Sequence, residues 1–187
     1  MDKPVYFQNI LFNKVREVKS PERANIHDAG IDFFMPQINE KFVEDFLAKN
    51  QDNNSIITQK CLIVPPGNRV LIPSGIRVWI QDKQSALIAA NKSGRATKDG
   101  IIFMAQVVDA DYTGEVHLGI HNLSSKNLIL KEGDKVIQFL HLPILMTALV
   151  EVDDEFYNWA SQDTDRGVGG FGSTDGKQGE LFPSEKY

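Results

Sequence analysis

Val116-His117-Leu118-Gly119-Ile120-His121 places an apolar residue at every second position. That is the period of an extended strand with one buried face and one open face. The same signature extends outward on both sides. Upstream, Leu62-Ile63-Val64 runs into a Pro65-Pro66-Gly67-Asn68 turn; Val70-Leu71-Ile72, a Pro73-Ser74-Gly75 turn and a strand over 76–80 follow. Downstream, Leu128-Ile129-Leu130, a Glu132-Gly133-Asp134 turn and residues 136–142 predict a hairpin. Short Val- and Ile-rich stretches punctuated by Gly, Pro, Asn and Asp predict an all-β sandwich or barrel.

One segment departs from this period. Asn39 caps a predicted helix through Glu40-Lys41-Phe42-Val43-Glu44-Asp45-Phe46-Leu47-Ala48-Lys49, with Phe42, Val43, Phe46 and Leu47 on one face. The polar run 50–55 then reads as an exposed loop, so residues 38–58 form a short helical insertion in a β domain. From Asp163 onward the periodicity ends and glycine accumulates, which predicts a mobile C-terminal arm. The expected organisation is a β domain over residues 1–162, followed by an arm and tail over 163–187.

Composition narrows the function. At 187 residues the chain suffices for one domain with a real core. Its net charge of -5 argues against a broad nucleic-acid surface, which needs clustered Lys and Arg. A few convergent cations and backbone amides still suffice for a small polyanion. The single cysteine, Cys61, precludes an internal disulfide and reads as a buried structural thiol in a reducing compartment. The N-terminus lacks a signal-peptide pattern and no apolar run reaches the length of a membrane span, so a soluble, cytoplasmic protein without membrane contact is expected.

Two segments carry chemistry. Asp109-Ala110-Asp111-Tyr112-Thr113-Gly114-Glu115 sets two carboxylates on one face of an extended chain ahead of a turn. Arg166-Gly167-Val168-Gly169-Gly170-Phe171-Gly172-Ser173-Thr174 combines glycines that let a backbone approach phosphate, a guanidinium fork and a flat aromatic face. Either alone is weak: a solvated turn, or a linker that lacks the Gly-Lys-Ser/Thr ending of a P-loop.

Taken in order, the segments resemble the trimeric dUTPase family. The motifs are Asp28 to Phe33, Lys92 to Ile101, Val108 to Val116, Gly133 to Phe139, and the Arg166 to Thr174 arm. The resemblance implies a distorted jelly-roll or β-barrel of the dUTPase type, assembled as a homotrimer with active sites shared between subunits and closed by the arm. It implies hydrolysis of dUTP to dUMP and pyrophosphate, which keeps uracil out of DNA and supplies dUMP for thymidylate synthesis.

By the same resemblance, Asp109 is the base that activates the attacking water. Tyr112 packs beneath the deoxyribose. Lys92, Ser93, Gly94 and Gln138 line the phosphates. Arg166 neutralises the terminal phosphate, Phe171 stacks over uracil, and Gly172, Ser173 and Thr174 hold phosphates from the arm. Mg2+ binds chiefly through the triphosphate, and Asp32 holds a metal-bound water; magnesium characteristically keeps waters and takes phosphate ligands.

The chain departs from the family at two places. Asn91-Lys92-Ser93-Gly94-Arg95 replaces the usual Pro-Arg-Ser-Gly-Leu, and Lys92 lacks the bidentate fork of an arginine. Phe103-Met104-Ala105-Gln106 stands where small residues, often glycines, form the uracil-reading hairpin; this predicts an altered hairpin, with Gln106 able to contact the base. Trp79 and Trp159 read as core or interface residues, and His117 and His121 as strand histidines without a metal-ligand set. A dCTP deaminase shares the fold but not the arm, and a nucleotide-sensing trimer without catalysis is the non-enzymatic alternative. In the tail, Gln178, Leu181 and Phe182 resemble the Gln-x-x-Leu-Phe peptides that bind bacterial sliding clamps; the competing reading is an incidental match.

Overall fold

The computed structural model describes residues 9–51 and 53–164. The strands and helices run β1 (Ile10–Lys14), β2 (Gly30–Phe34), α1 (Glu40–Lys49), β3 (Ile56–Ile57), β4 (Leu62–Val64), β5 (Arg69–Ile80), β6 (Ser85–Ala90), α2 (Ser93–Asp99), β7 (Ile101–Phe103), β8 (Val107–Asp109), β9 (Glu115–Asn122), β10 (Leu128–Leu130), β11 (Lys135–Pro143) and α3 (Asp154–Ala160). Contacts divide the chain into a unit up to Met146 and a second from Thr147.

The first unit is built from three antiparallel sheets, ordered β1-β5-β9-β7, β10-β4-β3 and β2-β11-β6-β8. The alternation in β9 is realised: Val116, Leu118 and Ile120 are buried, and His117 and His121 are only partly so. These apolar faces meet in one core with Leu62, Val64, Ile72, Leu130 and an edge-to-face pair of Phe33 and Phe139, whose ring centroids lie 4.8 Å apart.

The structure corrects two strand expectations. Residues 69–80 form one continuous strand. The predicted Pro73-Ser74-Gly75 turn is instead a bulge, where the pairing with β9 shifts between Pro73 and Arg77 and Gly75 adopts φ 79°. The predicted hairpin of β10 and β11 does not form: β10 pairs with β4, whereas β11 pairs with β2 and β6. A turn does occur at 131–134, but it hydrogen-bonds to Met35 and sends the chain from one sheet to another.

Helix α1 starts where the sequence places it, the Asn39 side chain accepting from the Phe42 amide at 2.9 Å. Phe42 and Phe46 are fully buried, each worth about 2–3 kcal/mol against exposure. Leu47, expected on the same face, is exposed. The capping residue Asn50 accepts from the Leu71 amide at 2.8 Å and donates to the Leu71 carbonyl at 2.9 Å. Since β1 covers β5 only over Ile76–Ile80, this side-chain amide substitutes for a neighbouring strand at Leu71.

Cys61 precedes β4 and is partly exposed, with Sγ 3.4 Å from the Thr58 hydroxyl, so it is not the buried thiol expected. Trp79 is about half exposed and belongs to no core. In the second unit, Asp153 caps α3 by accepting from the Phe156 amide at 2.8 Å. Phe156 and Trp159 face each other on that helix at 5.5 Å, and both are largely exposed.

Candidate active site

The sheet β2-β11-β6-β8 brings several of the sequence-derived residues together. Asp32, Gln138 and Ala90 occupy one row across β2, β11 and β6. The chain leaving β6 at Ala90 passes through Asn91 and Lys92 into α2, so the second motif emerges beside that row. Gln138 fixes the exit by donating from Nε2 to the Asn91 carbonyl at 2.9 Å. Ser93 and Gly94 open α2 and are exposed, and a Cβ at Gly94 would meet open space.

Asp32 is buried and its two carboxylate oxygens are both ion-paired, Oδ1 with the Lys92 ammonium and Oδ2 with Lys135 Nζ at 2.5 Å. Burial alone pushes this carboxyl up, but the hydrogen bonds and charges of Lys135 and Lys92 outweigh it and hold the group below its ordinary range. Lys135 is raised above the ordinary lysine range, chiefly by its hydrogen bond to Asp32. One carboxylate between two ammonium groups leaves a net positive charge beside Gln138. Lys135 is a member of this cluster that the sequence did not single out; it lies inside the Gly133 to Phe139 motif, but nothing in its spacing points to a buried carboxylate.

The Asp109 segment lies at the opposite end of the sheet. Asp109 is exposed at the end of β8, opposite Ala86 of β6. The turn that follows is braced at several points. Tyr112 N donates to the Asp109 carbonyl at 3.0 Å. Lys83 Nζ donates to the Ala110 carbonyl at 2.7 Å and pairs with Asp111 at 2.8 Å. The Tyr112 hydroxyl donates to the Glu115 carbonyl at 2.7 Å.

Ala86 and Ala90 are four residues apart on β6, about 13 Å at roughly 3.3 Å per residue. One chain therefore does not bring Asp109 together with the Asp32–Gln138 row.

Residues 104–106 connect β7 to β8, strands of different sheets, so they are not the tip of a two-stranded hairpin. Met104 N donates to the Gly119 carbonyl at 2.9 Å, and the Gln106 carbonyl accepts from Ala89 N at 2.7 Å. Met104 and Gln106 are both exposed, and no non-glycine residue among those described has positive φ. Met104 and Gln106 thus keep ordinary backbone angles where glycine would permit positive φ.

His117 Nδ1 donates to the Glu115 carbonyl at 2.8 Å and His121 Nε2 to the Gly67 carbonyl at 2.9 Å. Arg166, Phe171, Gly172, Ser173 and Thr174 of the arm lie outside the described residues, as do Gln178, Leu181 and Phe182 of the tail.

Residues 55–175 match the profile of the dUTPase family. A deoxyuridine 5'-triphosphate nucleotidohydrolase of Actinobacillus pleuropneumoniae serotype 3 is 34% identical over 124 residues, 65% of this chain and 78% of the relative. A mutant dUTPase of Staphylococcus bacteriophage 80alpha, solved with dUpNHpp, superposes with a TM-score of 0.63 at 17% identity, covering 89% of this chain and 98% of that one. A mutant dUTPase from phage phi11 of S. aureus, whose structure details coordination of a structural Mg(II) ion, gives a TM-score of 0.60 at 18% identity over 79% of this chain and 98% of that one. The three antiparallel sheets fit a distorted β-barrel or jelly-roll fold of the dUTPase type.

Proposed function

This chain belongs to the dUTPase family, and on that premise we propose that it hydrolyses dUTP to dUMP and pyrophosphate with Asp109 as the base. The supporting observation is the layout of one sheet. A net cationic cluster of Asp32, Lys92, Lys135 and Gln138 occupies one end, and the braced, exposed Asp109–Tyr112 turn occupies the other.

In this reading the water oxygen attacks the α-phosphorus while Asp109 takes its proton. The bond from the α-phosphorus to the α,β-bridging oxygen breaks, and pyrophosphate leaves with the electron pair. Lys92, Ser93 and Gln138 contact the phosphate oxygens, and the open space at Gly94 admits them to the backbone. Tyr112 packs beneath the deoxyribose, and Gln106 faces the base. Arg166, Phe171, Gly172, Ser173 and Thr174 complete the site as a closing arm that excludes all water but the nucleophile.

Magnesium fits this chain as a passenger of the triphosphate, where it would spread the charge of the departing pyrophosphate. Asp32 carries one ammonium group on each oxygen, and each oxygen keeps a second acceptor site with which it would hold a metal-bound water. We assign Asp32 to orienting those two ammonium groups toward phosphate.

The separation of about 13 Å along β6 supports a site shared between copies, one subunit supplying Asp109 and Tyr112 and another supplying Lys92, Ser93 and Gln138. That arrangement requires an oligomer, and a homotrimer is the assembly we propose. No helix among the described residues is long and apolar enough to cross a membrane.

A pyrophosphate-release panel of dUTP, dCTP, dTTP and UTP with magnesium tests the reading, combined with sedimentation for the assembly. Strong preference for dUTP and a trimeric mass are the expected results. Ammonia release from dCTP would replace this reading with a deaminase.

A further inference from the structure

Glu115 connects the catalytic turn to a residue distant in sequence. Its carboxylate accepts from Arg16 Nε at 3.0 Å and from Arg16 Nη2 at 2.9 Å, and its Oε1 also accepts from Gly75 N at 2.6 Å. The Arg16 side chain is only 4% exposed, and the same Nη2 donates to Asp45 Oδ2 of the inserted helix α1 at 2.8 Å. Asp45 is held in turn by Lys41 at 2.9 Å. Arg16 Nη1 is buried without a hydrogen bond, and an apolar side chain would fill this space without that cost.

On its other side Glu115 holds Tyr112. The Glu115 carbonyl accepts the Tyr112 hydroxyl at 2.7 Å. A Cβ at Gly114 would come within 2.6 Å of that hydroxyl and 2.7 Å of Cζ, so the ring lies close against residues 114 and 115. The carboxylate and the carbonyl of one residue are thus anchored to different partners, Arg16 and Gly75 on the one hand and Tyr112 on the other. A bidentate guanidinium pair fixes both distance and plane, which a single ammonium contact does not.

We propose that Arg16 is a positioning residue for sugar discrimination, clamped by Asp45 of the inserted helix and acting on the tilt of Tyr112 through Glu115. The proposal rests on the reading that Tyr112 packs beneath the deoxyribose. A 2′-hydroxyl is refused by lack of room, and shifts of well under ~1 Å in the ring decide how much room there is. The inserted helix then serves sugar selectivity as well as the core.

The test compares kcat/KM for dUTP and UTP, with magnesium, in the full-length protein and in Arg16→Lys, Asp45→Asn and Tyr112→Ala. Arg16→Lys is expected to lower the dUTP:UTP ratio about tenfold, the effect of one lost anchoring hydrogen bond. Asp45→Asn is expected to lower it a few-fold. In both the change comes mainly from a gain on UTP, and Tyr112→Ala collapses the ratio. Adding Arg16→Lys to Tyr112→Ala is expected to produce no further change.

If Tyr112→Ala leaves the ratio intact, the assignment of Tyr112 fails and the proposal falls with it. If Tyr112→Ala collapses the ratio while Arg16→Lys and Asp45→Asn lower Tm without moving it, Arg16 is structural only and the proposal alone is overturned. Should Arg16→Lys not fold, Asp45→Asn decides, because Asp45 is partly exposed at the rim of the pair.

Discussion

The Gln138 side chain on β11 lies against Gly30 on β2, two residues from its pairing partner Asp32: a Cβ built at Gly30 would stand 3.2 Å from the Gln138 Cβ and collide with its amide. Gly30 is therefore required by close approach, and its φ is not in the left-handed region. Gly30→Ala is expected to push the Gln138 amide off the Asn91 carbonyl and raise KM for dUTP about tenfold, at a stability cost of about 1–3 kcal/mol. Steady-state kinetics with urea denaturation checks this, and an unchanged KM removes Gln138 from the phosphate site.

Asp109→Asn keeps the shape of the residue and removes its capacity to take a proton. The expected loss in kcat is about 10²–10⁴-fold, with dUTP affinity by calorimetry close to wild type. Full activity in this variant would displace Asp109 from its role.

The Asp32 cluster makes a prediction about pH. Asp32 is held below its usual range, so its contribution to stability is present above about pH 4 and is lost as pH falls through the lowered folded value. Lys135 is raised, so its contribution is present below about pH 10.4 and is lost as pH climbs through the folded value. Lys135→Met leaves a buried carboxylate half compensated, at a cost of about 3 kcal/mol near neutrality. Denaturation across pH is expected to show that difference shrinking as pH falls, first as Asp32 protonates in the variant and then through its lowered value in the wild type. A difference constant down to pH 2 contradicts the pairing.

Asn50→Ala removes the amide that satisfies both Leu71 backbone groups, and about 2–4 kcal/mol of stability should go with it. Phe46→Ala should cost about 3–5 kcal/mol. Urea melts of the two variants measure whether the insertion is part of the core; losses under about 1 kcal/mol would make it an appendage.

Strand period and capping chemistry are local, and where they decide structure the sequence was readable. β9 and α1 follow from alternation and from Asn39. Pairing partners are not local. Leu128–Leu130 and Lys135–Pro143 read as a hairpin because a glycine turn separates them, yet each pairs with a strand distant in sequence. Helix α2 carries no periodic signal, because Ser-Gly-Arg-Ala-Thr-Lys-Asp has no apolar face. Helix α3 did carry a signal in Asp153 and the acidic first turn. At the site, Asp32, Lys92 and Gln138 were named from motif order, but only the fold reveals that Lys135 shares the Asp32 carboxylate.

Residues 104–106 span two sheets, hydrogen-bonded to Gly119 on one side and Ala89 on the other. Any slip between those sheets is carried into this three-residue strap. Substitutions deep in either sheet thus have a mechanical route to moving Met104 and Gln106. Because the strap runs through ordinary backbone angles, its side chains are free to diverge without breaking it. On the proposed reading in which Gln106 faces the base, base selectivity is then open to adjustment from the interior as well as from the surface.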